Sequence, residues 1–494
     1  MDHTNMTRQN RILRAGVARA IIPTSLLLAL STTAFSGPEL KAEAKHEKKI
    51  EKPLLSFADG LLQFDIEARA RFEARNNTRD FDDAVNDDND DSWLLTRFRL
   101  GLALKPLPWL KLYAQTQDVR EIDSDRPNIP GVHGTEGFDE FDLRQAYVEF
   151  ANYKEFPLGL TVGRQRLHYG DRRLVADSNW NNFGRTFDGV KLRLQREKWW
   201  VEAFAARPVQ IRKNVINDSD AADNFFGFYA SSEALSFQTT DLYLFYRDKG
   251  DNQPDLDPTN SFDPDGSWNG PAQRIATIGT RWKSKKDALG PWDYTVELAY
   301  QWGDVWATDR STPALDHHAF AAGIAGGYTV KSVAWEPRFG LGYDFASGDR
   351  NPDDGRSQSF QNLFPSNHEP YGLIDEFAWR NLHDLHFEAS VEPAKNLELE
   401  VQWHVFWLAE TNDYWFRSNG VSTLRTKTPD GRDVRRIGAD NFAGQEVDLT
   451  LTWSPVKPLK IIAGYGHFFA GDYLRDTGPH DDADFGYIQA QLLF

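Results

Sequence analysis

The sequence predicts an all-β chain, a transmembrane antiparallel β-barrel of about 18 strands with both termini periplasmic. Three observations carry the prediction. From residue 61 onward, apolar residues recur at every second position. The connections between these segments alternate between short and long. The last segment is amphipathic and stops on Phe494.

The elements follow in order. Arg8, Arg11, Arg14 and Arg19 precede an apolar stretch from Ala20 to Leu30, and Ala34-Phe35-Ser36 forms a small-residue cleavage signal before Gly37. This pattern reads as a secretory signal peptide over 1–36, because its apolar core is too short to span a bilayer. Residues 37–60 are charged, lack an apolar face and read as a periplasmic linker. They are too few to form the folded plug of a TonB-dependent transporter. The barrel is expected over 61–494.

Alternation is clearest late in the chain. Trp292, Tyr294, Val296, Leu298, Tyr300 and Trp302 alternate with Asp293, Thr295, Glu297, Ala299 and Gln301. Leu397, Leu399, Val401, Trp403, Val405 and Trp407 do the same against Glu398, Glu400, Gln402 and His404. A period of two places the two sets on opposite faces of a strand. Segments of this kind begin near 61, 92, 109, 142, 158, 186, 198, 223, 237, 273, 291, 317, 334, 381, 396, 442, 458 and 484. Tight turns such as 105–108 and 392–395 follow the even segments, and long loops such as 76–91, 169–185, 347–380 and 411–441 follow the odd ones. Tight periplasmic turns and long external loops give a membrane barrel this rhythm.

Composition excludes other classes. The chain has no cysteine, so it holds neither disulfides nor thiolate metal sites. Its net charge of −17 is wrong for a nucleic-acid binder. Mean hydropathy is −0.57, which suits strands with only one lipid-facing side. No G-x-S-x-G or H-E-x-x-H motif accompanies His317-His318 or His383 and His386, so neither a hydrolase nor a metal enzyme is expected.

The polar faces carry the functional prediction, because lumen residues set selectivity. Arg69, Arg71, Arg97, Arg99, Lys191, Arg193 and Arg338 are placed inward, interleaved with Asp65, Glu67 and Glu73. Two readings stay open: mutual neutralisation around a wet lumen, or a basic constriction that attracts an anionic solute. Loops 76–91 and 249–272 are acidic, through Asp80, Asp82, Asp83, Asp87, Asp88, Asp90 and Asp91 in one and Asp251, Asp255, Asp257, Asp263 and Asp265 in the other. Neither matches a twelve-residue calcium loop, so both read as solvated surface.

Four blocks carry a resemblance to a known family. They are GRQRLHYGDRRLVADSNWNNFGRTFDGVKLR at 163–193, QSFQNLFPSNHEPYGLIDEFAWRNLHDLHFEA at 358–389 with HVFW at 404–407, GQEVDLTLTWSP at 444–455 and AGYGHFFAGDYL at 463–474. These segments resemble the alginate export family of outer-membrane porins over about 61–494. The resemblance implies an 18-stranded channel with an arginine-lined constriction for a polyuronate. It places constriction arginines at Arg144 of LRQAYVEF and Arg164 of GRQR, and finds Leu408, Ile462 and Gly464 where the family has three others. Periodicity places those three positions inward. Arg144 and Arg164 share parity with lipid-side neighbours, so a β-bulge, for instance at Gly163, is expected to turn them inward. The expected function is passive passage of an anionic or neutral saccharide through the outer-membrane lipid. No cofactor is needed for transport, no nucleic acid is bound, and a periplasmic complex delivers the polymer.

Overall fold

The computed structural model describes residues 55–494 apart from 86–89, 127–137, 214, 251–260, 263–270, 308–309 and 369. The leader, most of the linker and several of the acidic loop residues, Asp87, Asp88, Asp251, Asp255, Asp257, Asp263 and Asp265, lie outside the described residues.

Eighteen strands form the wall: β1 (Leu62–Asn76), β2 (Ser92–Leu107), β3 (Leu110–Ile122), β4 (Asp139–Ala151), β5 (Leu158–Gln165), β6 (Phe187–Gln195), β7 (Trp199–Pro208), β8 (Asp223–Ser232), β9 (Gln238–Lys249), β10 (Gln273–Ser284), β11 (Trp292–Val305), β12 (Leu315–Thr329), β13 (Arg338–Ala346), β14 (Leu382–Ala394), β15 (Leu397–Leu408), β16 (Phe442–Val456), β17 (Leu459–Ala470) and β18 (Ala483–Leu493). Each strand pairs antiparallel with its sequence neighbour, and β1 pairs with β18 through Glu67–Leu493 to Asn76–Asp484, so the sheet closes. Closure removes both edges, which no open sheet in lipid could leave unpaired. An even count puts the start of β1 and the end of β18 at one rim, where Ile66 and Phe494 exchange backbone hydrogen bonds of 3.0 and 2.9 Å.

The connections alternate as the sequence predicts. Tight turns such as 108–109, 196–198, 395–396 and 457–458 close one end, and loops such as 166–186, 347–381 and 409–441 leave the other. β13 starts at Arg338, later than the pattern's 334, because Trp335 and Glu336 take positive φ and Pro337 has no N–H to donate to a ladder.

Outward positions are apolar and exposed: Phe98, Leu100 and Leu102 on β2, Val190 and Leu192 on β6, Leu242 and Leu244 on β9, Leu399 and Val401 on β15. Trp109, Phe156, Trp292, Trp335 and Trp453 gather near the turns, and Tyr246, Tyr300, Trp302, Tyr343 and Phe469 nearer the loops. These are the two aromatic girdles of a membrane barrel. The buried apolar cluster lies inside the wall. It joins inward strand residues (Phe187, Phe204, Phe245, Phe406, Phe468) to loop residues (Leu174, Val175, Phe360, Phe364, Phe377, Trp379, Trp415). The long loops therefore fold into the lumen.

Candidate functional site: a lumen with two charged walls

The inward face of β1–β4 is basic. Arg69, Arg71, Arg97, Arg99 and Arg144 are all buried. Glu67 bridges two of them, accepting from Arg97 Nε at 2.9 Å and Arg99 Nη1 at 3.1 Å, and Glu73 pairs ionically with Arg71, its oxygen 2.6 Å from Nε. Asp65, Asp139 and Asp142 of the same strands are engaged elsewhere, by Tyr113, Gln115 and Asn217, which leaves two carboxylates beside five guanidinium groups. The surplus is met by backbone carbonyls of the loop at 166–186. Arg69 donates to the carbonyls of Asn179 and Trp180, Arg71 to Trp180, Arg97 to Asn179, Asn181 and Asn182, and Arg99 to Phe183, over 2.8 to 3.3 Å. Arg71 also lies 3.6 Å over the Trp180 ring, which stacks on His368 at 3.5 Å and meets Tyr487 edge-on at 4.9 Å. Five donors per guanidinium in a fixed fork suit a row of carbonyls, which an ammonium could not span.

The same loop crosses to the far side. Asp171 accepts from Arg281 on β10 at 2.7 Å and from Lys283 at 2.7 Å, and Arg173 donates to Asp344 on β13 at 2.7 Å. In a ring of eighteen strands, β2 and β10 are nearly opposite, so this segment spans the lumen and narrows it. A second loop, 347–381, runs beside it. Ala176 N donates to Phe364 O at 2.8 Å, Phe364 N to Leu174 O at 2.9 Å, and Arg185 to the carbonyl of Pro365 at 2.9 Å.

The inward face of β13–β16 is acidic, with Asp344, Asp384, Glu446 and Asp448 all buried beside His404 and the half-buried His386. These carboxylates hold backbone amides: Ile374 N donates to Glu446 at 2.9 Å and Leu373 N to Asp448 at 3.2 Å. One wall thus grips loop carbonyls and the other grips loop amides. Sequence reasoning missed the acidic wall, although His404 stood in one of its own polar sets.

The predicted lumen residues divide. Lys191 and Arg193 face inward and share Glu202, at 3.7 and 2.9 Å. Arg338 faces inward at the turn end and is neutralised by Asp293 at 2.8 Å and Glu388 at 2.6 Å. Arg144 turns inward at a bulge. Gln145 pairs with Gln115 while Leu143 pairs with Thr116, so Arg144 is the extra residue, and it donates to Gln115 Oε1 at 2.9 Å. The slip is at Arg144 itself. Gly163 has φ +123° yet keeps β4 and β5 in register.

Arg164 is a correction. It takes the parity of the exposed Val162 and binds Asp188 at 2.8 and 2.9 Å, beneath the Asn217 carbonyl. With no slip between Tyr147–Gly163 and Ala146–Arg164, nothing rotates it inward. The arginine of GRQR that reaches the basic wall is Arg166, which donates to Asp177 at 2.9 Å. Burial alone would raise the Asp177 carboxyl, but Arg166, His168 and Arg144 outweigh it and hold the group below the usual carboxylate range.

Leu408, Ile462 and Gly464 do sit inward. Leu408 is buried in the apolar cluster, Ile462 packs against it, and a Cβ on Gly464 would lie 2.2 Å from the Tyr487 ring. Apolar and aromatic bulk fills the space.

The histidine pairs separate across the pleat. His383 binds the outward Tyr343 hydroxyl at 2.5 Å, whereas His386 faces the lumen. His318 binds Tyr300 at 2.8 Å, and His317 lies inside, 3.4 Å from both Ser357 Oγ and Gln301 Oε1. An amide stands where a triad would place its orienting carboxylate.

Solved structures with the same fold are Pseudomonas aeruginosa OccK1 (OpdK), at 12% identity over 88% of this chain and 98% of that one with a TM-score of 0.55, and Acinetobacter baumannii OccAB2, at 11% identity over 88% and 98% with a TM-score of 0.56. Acinetobacter baumannii OccAB4 is similar at 13% identity, 88% and 98% coverage and a TM-score of 0.54. No curated protein matches the chain by sequence. The profile of the alginate export family matches residues 61–487. With the closed 18-stranded wall, the inward loops and a profile match over nearly the whole barrel, the chain belongs to the alginate export family of outer-membrane barrels.

Proposed function

We propose that the protein is an outer-membrane channel that passes an anionic oligosaccharide or polysaccharide down its gradient. The observation that carries this reading is the cluster of five buried arginines on β1–β4, bonded to Glu67 and Glu73 while Asp65, Asp139 and Asp142 of the same strands are engaged by Tyr113, Gln115 and Asn217, at the place where a loop narrows the lumen. A narrow, desolvated, positive segment lowers the cost of an anion crossing it and raises that of a cation. Leu408, Ile462 and Gly464 thin the positive field on the other side, which favours a broader set of anions or sugars over alginate alone.

In this reading the leader is removed, the tight turns and both termini face the periplasm, and a periplasmic complex delivers the polymer. The residues at work are Arg69, Arg71, Arg97, Arg99 and Arg144, with Lys191, Arg193 and Arg338 lining the approach from the turn end. Transport itself uses no metal or cofactor.

The test is single-channel conductance in planar bilayers, with alginate and neutral oligosaccharides as blockers. Anion-selective conductance blocked by alginate supports the reading. Block by neutral sugars in preference to alginate removes the polyuronate. Silence from correctly folded protein removes the channel and favours a structural barrel, the reading that the loop-filled upper lumen also suits.

A further inference from the structure

The acidic wall holds a cluster that the transport reading does not use. Asp384 and His386, two apart on β14, and His404 on β15 bring their ligand atoms within 4.8 Å of one another. His404 Nδ1 is 3.1 Å from both Asp384 oxygens, and His386 Nδ1 is 3.2 Å from Asp384 Oδ2. Ligands at about 2.0–2.2 Å around a tetrahedral ion stand roughly 3.4 Å apart, so the two Asp384–histidine spacings are already close and the remaining pair, within 4.8 Å, has to draw in.

Three further observations point to a cation. First, Asp344 Oδ2 faces the cluster from β13, 3.9 Å from His386 Nδ1. It is buried and accepts no hydrogen bond, while Arg173 holds the other oxygen at 2.7 Å. An oriented carboxylate with one idle oxygen is what a metal ligand looks like from its outer partners.

Second, the tautomer of His404 follows from a relay. Gln402 Nε2 donates to Glu400 at 2.6 Å, which turns Gln402 Oε1 toward His404 Nε2 at 3.2 Å. Nε2 therefore carries a hydrogen, and Nδ1 faces the Asp384 carboxylate. Only a cation, a second proton or a metal ion, satisfies both at once.

Third, the neighbourhood is electron-rich. Asp344, Asp384, Glu446 and Asp448 surround the two imidazoles, Glu446 and Asp448 stand within hydrogen-bond reach of one another, and among the described residues Arg173 is the arginine that pairs with this group, through Asp344. His386, the least buried member, leaves the cluster open to the lumen.

We propose that Asp384, His386 and His404, with Asp344 as the fourth ligand, form a binding site for a divalent transition metal of the zinc class. Two imidazole nitrogens and two carboxylate oxygens suit Zn²⁺ or Co²⁺ and are too nitrogen-rich for Ca²⁺ or Mg²⁺. The ion ties β13, β14 and β15 together and, through Asp344 and Arg173, anchors the loop that spans the lumen.

The experiment uses untagged, folded full-length protein in detergent micelles. Co²⁺ is followed by its absorption spectrum and Zn²⁺ by calorimetry. One equivalent of Co²⁺ with the intense visible bands of four-coordination, displaced by Zn²⁺, is the expected result. His386→Gln and His404→Gln should each weaken binding by about tenfold or more. His383→Gln, on the outer face of the same strand, should leave it unchanged. The proposal is overturned if folded wild-type protein binds no stoichiometric metal, if bound Co²⁺ shows only a weak six-coordinate spectrum, or if binding survives the double His386→Gln/His404→Gln variant. Should the variants fail to fold, the wild-type cobalt spectrum decides alone.

Discussion

The wall of β1–β4 and the wall of β13–β16 solve one problem with opposite chemistry. Both must hold a loop inside a barrel where its backbone polar groups have lost water. The basic wall presents guanidinium forks to carbonyls of 179–183, and the acidic wall presents carboxylates to the amides of Leu373 and Ile374. The difference lies in what is left over. On the basic wall the idle groups are donors, Nε and Nη2 of Arg144. On the acidic wall the idle group is an acceptor, Oδ2 of Asp344. The first wall keeps capacity for an anion, and the second for a cation.

The largest effect should come from breaking the basic wall at the anion that Arg97 and Arg99 share. Glu67→Gln leaves Arg97 and Arg99 side by side without their carboxylate, and a buried pair broken in this way costs about 3–5 kcal/mol. Urea unfolding followed by tryptophan fluorescence measures it; a loss below about 1 kcal/mol would mean that the carbonyls alone carry the cluster. Arg97→Ala with Arg99→Ala should detach the loop at 179–183, raising conductance and lowering anion selectivity together in bilayer recordings. Unchanged selectivity would sever the basic wall from transport.

Next comes the missing charge. Gly464→Ala puts a Cβ into the Tyr487 ring and should cost about 1–3 kcal/mol, measured by the same unfolding curves. A neutral outcome would show that Tyr487 moves freely and that an arginine at this position has room.

A smaller effect is a pH dependence at the loop mouth. Asp349 N donates to Asp413 across two loops at 3.0 Å. Burial, with Asp413 nearby, pushes the Asp349 carboxyl up to about 6, and burial also raises Asp413 against the pull of Arg380. The docked state therefore binds more protons than the undocked one. Docking is strongest below the ordinary carboxylate value and weakens as pH rises through about 6. Conductance should rise between pH 4 and 7, and Asp349→Asn should flatten that rise. A flat wild-type profile would mean that these loops do not move.

The smallest concerns the acidic wall. Glu446→Gln keeps the acceptor for Ile374 N and removes only charge, so stability should fall by about 1 kcal/mol or less, read from the same unfolding curves. A larger fall would show that the carboxylate charge itself holds the loop.

The strands were legible because lipid on one side and water on the other impose a period of two on every wall segment. The 18 segments and the inward positions of Arg69, Arg71, Arg97, Arg99, Lys191, Arg193 and Arg338 follow from that period, and the alternation of connections follows from tight turns at one end of the barrel and long loops at the other. The loop interior was not legible. Trp180, Arg173 and Asp171 sit in irregular backbone, where spacing says nothing about direction. Arg164 and Arg166 show the limit most sharply: two residues of one motif and of like parity end on different sides of the wall, because β5 stops at Gln165 and the chain leaves the pleat between them. The acidic wall was hidden for another reason. Its members stand on four strands far apart in sequence, so no local window contains Asp344, His404 and Asp448 together.

The bulge at Arg144 has a consequence for how such a barrel changes its lining. Adjacent residues Arg144 and Gln145 both face the lumen, which an unbroken pleat forbids. The extra residue is a phase slip: adding or removing one position there exchanges the sides of everything beyond it while leaving the composition almost untouched. A lineage that shifts the place of the slip deals a different hand of side chains to its solute without inventing any of them.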